Sequence, residues 1–191
     1  MEAFLVSTSI VALAEIGDKT QLLAFILAAK FRKPLPIVLG ILVATIANHA
    51  FAGAVGAWLT SLMGPETLRW VLGISFIAMA IWTLIPDKFD EDDAKLARMG
   101  VFGTTLIAFF LAEMGDKTQV ATVALAAQYQ ALVAVVAGTT LGMMLANVPA
   151  VLLGDRIADR MPTKAVHAVA ALIFAVLGVA TLMGAGEGFG L

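Results

Sequence analysis

A seven-residue motif occurs twice in this chain, each time near the middle of a long apolar run. The first copy, Glu15–Gln21, reads Glu-Ile-Gly-Asp-Lys-Thr-Gln, and the second copy, Glu113–Gln119, differs only by Met in place of Ile. The runs around them, residues 3–29 and 101–127, are long enough to cross a bilayer as helices. An ionisable side chain at membrane depth costs about 2.5 to 3.5 kcal/mol on insertion scales, which makes it a functional-site candidate by default.

The composition predicts an all-α integral membrane protein. Of 191 residues, 61% are hydrophobic and only 14% are charged, with a mean hydropathy of +0.96. We expect the lipid bilayer as the surroundings and no nucleic-acid partner. Six stretches are candidate transmembrane helices: residues 3–29, 35–62, 68–85, 101–127, 132–153 and 165–183.

The chain is also predicted to be an internal duplication. A shift of 98 residues superposes the two motifs, and it also places Gly40 on Gly138 and Phe76 on Phe174. We therefore predict a first three-helix repeat over residues 1–86, an acidic cytoplasmic linker over 87–98, and a second repeat over 99–191. Because three is odd, the second repeat must enter the membrane from the opposite side, as in the inverted repeats of secondary transporters.

Charge placement predicts the orientation. Nine of the 12 lysines and arginines lie in the links after the first, third and fifth stretches. By the positive-inside rule these links are cytoplasmic and both termini are non-cytoplasmic. Cysteine is absent, so disulfides and thiolate metal ligands are excluded.

If the first stretch is a regular helix, Glu15, Asp18 and Lys19 share one face. Gly17 then lies on the far side, where it allows either close helix packing or local unwinding. Thr20 and Gln21 would support the charged residues from outside that face unless the backbone opens at Gly17. In the second copy, Glu113, Asp116 and Lys117 share one face in the same way, and Thr118 and Gln119 correspond to Thr20 and Gln21.

Three further polar residues lie in predicted helices. Asn48 is expected to form an interhelical hydrogen bond, and Asn147 is its candidate counterpart, one residue away from the constant shift. His49 has no histidine counterpart, so it cannot belong to a symmetric site. A proton-relay or metal-binding role for His49 stays open.

The two motifs together predict a site for a divalent cation. Four carboxylates (Glu15, Asp18, Glu113 and Asp116) and two lysines (Lys19 and Lys117) give a formal charge of minus two. Without a cation, crowded carboxylates in a low dielectric are expected to hold protons, so the charges alone suggest cation/proton exchange. Oxygen ligands suit Ca²⁺, Mn²⁺ or Mg²⁺, while charged lysine cannot coordinate and would balance charge.

Other readings of the motifs remain open. The acids and lysines could form simple ion pairs four residues apart within each helix. The lysines could hold a small zwitterionic or anionic solute, as in LysE-like exporters, or the protein could be a non-transporting membrane assembly scaffold. Enzymatic catalysis is not expected, because the sequence has no nucleophile–base pair, zinc motif or phosphate loop.

The doubled Glu-x-Gly-Asp-Lys-Thr motif in a six-span chain resembles the Gdt-type family of cation transporters, particularly its bacterial MneA-like manganese exporters. This resemblance implies transport of Mn²⁺ or Ca²⁺, coupled to protons, with Glu15, Asp18, Glu113 and Asp116 as ligands. The cation would be cargo, with no other cofactor. The short linker and the lack of an N-terminal targeting extension suggest a bacterial inner membrane and export of Mn²⁺. The oligomeric state is left open.

Overall fold

The computed structural model describes residues 1–85, 99–153 and 163–184. Within these ranges the chain forms eight helices and no strand, which confirms the all-α prediction. The predicted linker over residues 87–98 lies outside the described residues. The helices are α1 (Glu2–Glu15), α2 (Lys19–Phe31), α3 (Pro34–Leu62), α4 (Pro65–Thr83), α5 (Gly100–Glu113), α6 (Lys117–Tyr129), α7 (Leu132–Leu153) and α8 (Thr163–Leu182).

The prediction of one continuous helix through each motif is wrong. The first run is divided into α1 and α2, and the second run into α5 and α6. Each break contains a glycine with a positive φ, +84° at Gly17 and +75° at Gly115. Only glycine adopts this conformation without steric cost, so the backbone unwinds there. The charges of one motif therefore do not share one helical face, and the unwinding alternative is the one the structure adopts.

The two halves of the chain pack into each other with matching contacts. Helix α1 packs along α7, and α5 packs along α3. A Cβ atom added to Gly40 would lie 2.8 Å from Thr105 Cβ, and one added to Gly138 would lie 3.0 Å from Ser7 Cβ. These glycines and their partners are related by the same shift of 98 residues. The small residue at each crossing allows the helix backbones to approach closely.

Helices α4 and α8 form a second contact between the halves. Phe76 and Phe174, which are equivalent under the shift, are fully buried and their ring centroids lie 6.4 Å apart. Large apolar side chains such as Ile74 and Leu172 point outward and are about 60% exposed (59% and 63%). Among the described helices, α3 and α7 are each long and apolar enough to cross a membrane by length and composition alone.

Candidate functional site

The two helix breaks are held open by glutamines of the motifs themselves. The backbone N–H of Gly17 donates to Gln21 Oε1 over 2.9 Å, and that of Gly115 donates to Gln119 Oε1 over 2.7 Å. These bonds satisfy amides that a continuous helix would have paired with carbonyl groups. The glutamine side chains thus stabilise the breaks, a role that a regular helix would not have given them.

Three motif carboxylates from the two halves come together at these breaks. One oxygen from each of Glu15, Glu113 and Asp116 lies within 4.8 Å of the others, and all three side chains are buried. Glu15 and Glu113 are the last residues of α1 and α5, whereas Asp116 immediately precedes α6. The unwound segments therefore bring together residues from the C-terminal ends of two half-helices and the N-terminal end of a third. We name these three residues the carboxylate cluster.

The fourth motif acid is arranged differently. Asp18 is buried, but it does not complete the carboxylate cluster. Its Oδ1 atom lies 3.4 Å from Nζ of Lys117, which also donates to the carbonyl oxygen of Ile85 over 3.3 Å. The sequence treats the two motif aspartates as equivalent, and the structure separates them.

Both ion pairs cross between the halves. Lys19 Nζ lies 3.4 Å from Asp116 Oδ1, which matches the Lys117–Asp18 pair in the other direction. In the described part of the chain, Glu15 forms no ion pair with Lys19. The alternative of a simple ion pair four residues apart therefore does not apply to the first motif. The reason is the break itself, which turns Lys19 away from the helix that carries Glu15.

Each cluster glutamate is fixed by a threonine of its own motif. Thr20 Oγ1 donates to Glu15 Oε2 over 2.5 Å, and Thr118 Oγ1 donates to Glu113 Oε2 over 2.9 Å. The other oxygen of each glutamate is buried and has no hydrogen-bond partner among the described residues, and the same is true of Oδ2 of Asp116. A buried carboxylate oxygen without a partner is energetically costly.

At each break, the motif glutamine also donates a hydrogen bond to a long helix of the opposite half, α3 or α7. Gln119 Nε2 donates to Asn48 Oδ1 over 3.3 Å, and Asn48 in turn donates to the carbonyl oxygen of Phe110 over 3.1 Å. Gln21 Nε2 donates to the carbonyl oxygen of Ala146 over 3.0 Å. Positions 48 and 146 are equivalent under the shift of 98 residues. The glutamine of the second motif therefore bonds a side chain at this position, and the glutamine of the first motif bonds the backbone there.

Asn147, offered as the counterpart of Asn48, is buried but donates within its own helix, to the carbonyl oxygen of Met143 over 3.1 Å. It is equivalent in position to His49 instead. His49 is fully buried, neither of its ring nitrogens has a hydrogen-bond partner in the described structure, and it is not part of the carboxylate cluster.

One contact at the break was not predicted from the sequence. Nε2 of His167, near the start of α8, lies 2.7 Å from the carbonyl oxygen of Ile16. This contact links the final helix to the residue that follows Glu15. The only sequence signal was a histidine near the end of a basic link, which solvation also explains. The matching position in the first half is Arg69, so the duplication did not point to it.

The chemistry of the cluster favours a hard cation. Its ligand atoms are carboxylate oxygens, and the C-terminal ends of α1 and α5 add partial negative charge from their last carbonyl groups. Such oxygen sites suit Ca²⁺, Mg²⁺ and Mn²⁺ rather than metals that prefer sulfur. A cation would supply the missing partners of the three buried oxygens. The geometry thus brings carboxylate oxygens from both halves together at a single point.

Comparison with known proteins agrees with this chemistry. The family model described as "Divalent cation/proton antiporter GDT1" matches residues 3–91 and 101–188. A Vibrio cholerae protein named "Putative manganese exporter" is 51% identical over 182 residues, covering 95% of this chain and 90% of that protein. A GDT1-like protein of Synechocystis sp. is 28% identical over 199 residues, covering 94% of this chain and 96% of that protein. No solved structure matches significantly. With both halves of the chain matched, the protein belongs to the GDT1 family of divalent cation/proton antiporters.

Proposed function

We propose that this chain exports Mn²⁺ from the cytoplasm in exchange for protons, with Ca²⁺ as the alternative cation. The observation that carries the proposal is the carboxylate cluster, in which Glu15 of one half and Glu113 and Asp116 of the other lie within 4.8 Å. The name of the Vibrio cholerae relative favours Mn²⁺ among the cations that such oxygens accept.

Membership of an antiporter family makes the chain a membrane transport protein and not an enzyme. We propose six membrane crossings arranged as two inverted repeats, in which α1–α2 and α5–α6 each cross as a broken pair. Transporter sites of this kind lie near the bilayer midplane, where half-helices end. We propose that both termini lie on the non-cytoplasmic side of a bacterial inner membrane.

Glu15, Glu113 and Asp116 are proposed to hold the cation directly, each through one carboxylate oxygen. Asp18 and Asp116 also neutralise the lysine of the opposite half, as the 3.4 Å contacts indicate. After these two ion pairs are counted, Glu15 and Glu113 give the site its formal charge of minus two. One divalent cation balances that charge.

Proton coupling follows from the same balance. When the cation leaves, two buried glutamates face each other in a low dielectric without a counter-charge, so we propose that each takes up a proton. Cation binding then releases these protons, as metal binding to carboxylates generally does. Thr20 and Thr118 hold the glutamates in place in both states through their hydroxyl donors.

The two ion pairs argue against a LysE-like exporter of a small zwitterionic or anionic solute. A lysine that recognises an anionic solute must offer its ammonium group to that solute. Lys19 and Lys117 instead face aspartates of the opposite half. A scaffold without transport activity gives no reason for three buried carboxylates to converge.

Proteoliposomes containing the purified protein test the proposal. Uptake of Mn²⁺ is expected to require an outward proton gradient, and Glu15→Gln and Asp116→Asn should each abolish it. Glu66→Gln is the matched control, because Glu66 is an exposed carboxylate in the first turn of α4. Unchanged uptake in the Glu15 and Asp116 variants would refute the proposed site.

A further inference from the structure

A cavity far from the motifs lies at the end of the bundle that carries the N-terminus. It has a volume of about 320 Å³ and lies between the ends of α3, α4, α6 and α8. Its polar lining includes Arg69, Gln128, Gln130 and Thr181, and none of its described lining residues is a carboxylate. Arg69 is thus the one charge that the cavity presents among the described residues, and it is positive.

Arg69 is available to a ligand. Its side chain is half-buried, its Nε atom is buried without a hydrogen-bond partner, and it forms no ion pair with any described residue. A guanidinium group presents a planar set of donors that suits phosphate and carboxylate groups. A half-buried guanidinium group that lines a cavity and has no ion-pair partner among the described residues therefore indicates an anionic ligand.

The cavity continues into an apolar groove. A smaller cavity of about 70 Å³ shares Met63, Leu68, Leu72 and Ala127 with the first, and extends along α4 and α6 to Ser75 and Val120. The groove exists because α4 packs chiefly on α8 and not on α3, its neighbour in sequence. From Arg69 to Ser75 it runs about 9 Å along α4, at 1.5 Å per residue.

Two tryptophans fix the depth of this site in the membrane. Trp58 and Trp70 lie at the same end of the bundle and are 60% and 50% exposed. Exposed tryptophans concentrate at the level of the lipid headgroups. Arg69, adjacent to Trp70, therefore lies at headgroup depth, and the apolar groove extends from it towards the bilayer interior.

We propose that this cavity and groove bind an anionic glycerophospholipid, with its phosphate at Arg69 and part of one acyl chain along the groove. Charge complementarity favours an anionic headgroup, because Arg69 is the one charged side chain among the described lining residues and it is positive. The apolar groove selects a lipid rather than a free anion. No described lining residue of the cavity belongs to either motif, and the proposal does not depend on which cation is transported.

Native mass spectrometry of the purified full-length protein tests the proposal. The protein would be equilibrated in micelles holding equal amounts of phosphatidylglycerol and phosphatidylcholine, and the ratio of the two bound lipids measured. Wild type is expected to prefer phosphatidylglycerol, and Arg69→Gln should lower that preference roughly fivefold, the effect of one basic group near an anionic lipid. Arg69→Lys should restore part of it. Lys33→Gln, the same charge change on an exposed residue at the other end of the bundle, should leave it unchanged.

A second variant tests the groove without changing the charge. Ser75→Phe adds bulk at the inner end of the groove and should reduce the number of bound phosphatidylglycerol molecules. Adding inorganic phosphate separates a lipid site from a simple anion site, since only an anion site would lose phosphatidylglycerol completely to millimolar phosphate. The same lipid ratio in wild type and Arg69→Gln, or full displacement by phosphate, would overturn the proposal.

Discussion

The two motif aspartates are identical in sequence context but not in the structure, and removing each ion pair as a unit tests the difference. Asp18 pairs with Lys117 and stays out of the carboxylate cluster, whereas Asp116 pairs with Lys19 and belongs to it. The double variants D18N/K117M and D116N/K19M each delete one negative and one positive charge. Both therefore keep the formal charge of the site, and only the second removes a proposed ligand.

The expected magnitudes follow from what each variant leaves behind. A single change such as D18N removes a carboxylate from beside the ammonium group of Lys117, which is only 3% exposed, and should destabilise the protein by roughly 3 to 5 kcal/mol. Deleting both partners avoids most of this cost. Loss of an outer partner typically lowers metal affinity 10- to 100-fold, so loss of a direct ligand in D116N/K19M should cost at least about 100-fold, or about 2.7 kcal/mol. D18N/K117M should lose about tenfold or less.

Two measurements check this expectation. Thermal unfolding in detergent, with and without Mn²⁺, reports whether each double variant is folded and whether the cation still stabilises it. Initial rates of Mn²⁺ uptake in proteoliposomes, measured over a range of concentrations, give the relative affinities. Equal losses in the two double variants, with both proteins folded, would refute the assignment of Asp116 as the ligand and Asp18 as the charge partner.

Three further outcomes are expected. Gly115→Ala should lower the unfolding temperature by roughly 2 to 4 °C, because a φ of +75° strains alanine by about 1 kcal/mol although nothing within 4 Å blocks the new Cβ. Gly64→Ala also has nothing within 4 Å of the new Cβ, but its φ is −67°, so it should leave the unfolding temperature unchanged. Equal shifts in the two variants would contradict the role given to the positive φ. Thr118→Val should raise the KM for Mn²⁺ about tenfold by releasing Glu113, whereas Thr122→Val, which removes a hydroxyl bonded only to its own helix, should not. Exchange of one Mn²⁺ for two protons moves no net charge, so an imposed membrane potential should not alter the uptake rate, and a clear potential dependence would exclude this stoichiometry.

Some of the packing was predictable because one constant shift of 98 residues relates positions far apart in the chain. The shift of 98 residues anticipated that Gly40 and Gly138 occupy equivalent places, and both lie at close helix crossings. It also marked Phe76 and Phe174 as equivalent positions, but it did not predict that their side chains contact each other. Sequence repetition therefore identifies which residues correspond, whereas contact between them depends on how the halves dock.

The details of the site were less predictable, for a local reason. Periodicity assumes a regular helix, and a single glycine at positive φ invalidates every angular relation across it. Gly17 thus changed the partner of Lys19 from Glu15, four residues earlier, to Asp116 in the other half. The sequence offered unwinding as one of two roles for this glycine, and nothing in the chain's periodicity could choose between them.

The ion pairs give the two halves unequal surroundings, and this inequality has a mechanistic meaning. Lys19 is 24% exposed while Lys117 is 3% exposed, although the two lysines are equivalent by duplication. In the inverted repeat that we propose, an exchange of these two environments between the halves would convert a site open to one side into a site open to the other. Each lysine is the first residue of a half-helix, α2 or α6, so a movement of that half-helix would carry its lysine with it. Alternation would then carry the Lys19–Asp116 pair into the buried arrangement now held by Lys117 and Asp18, while the glutamates keep their threonine partners throughout.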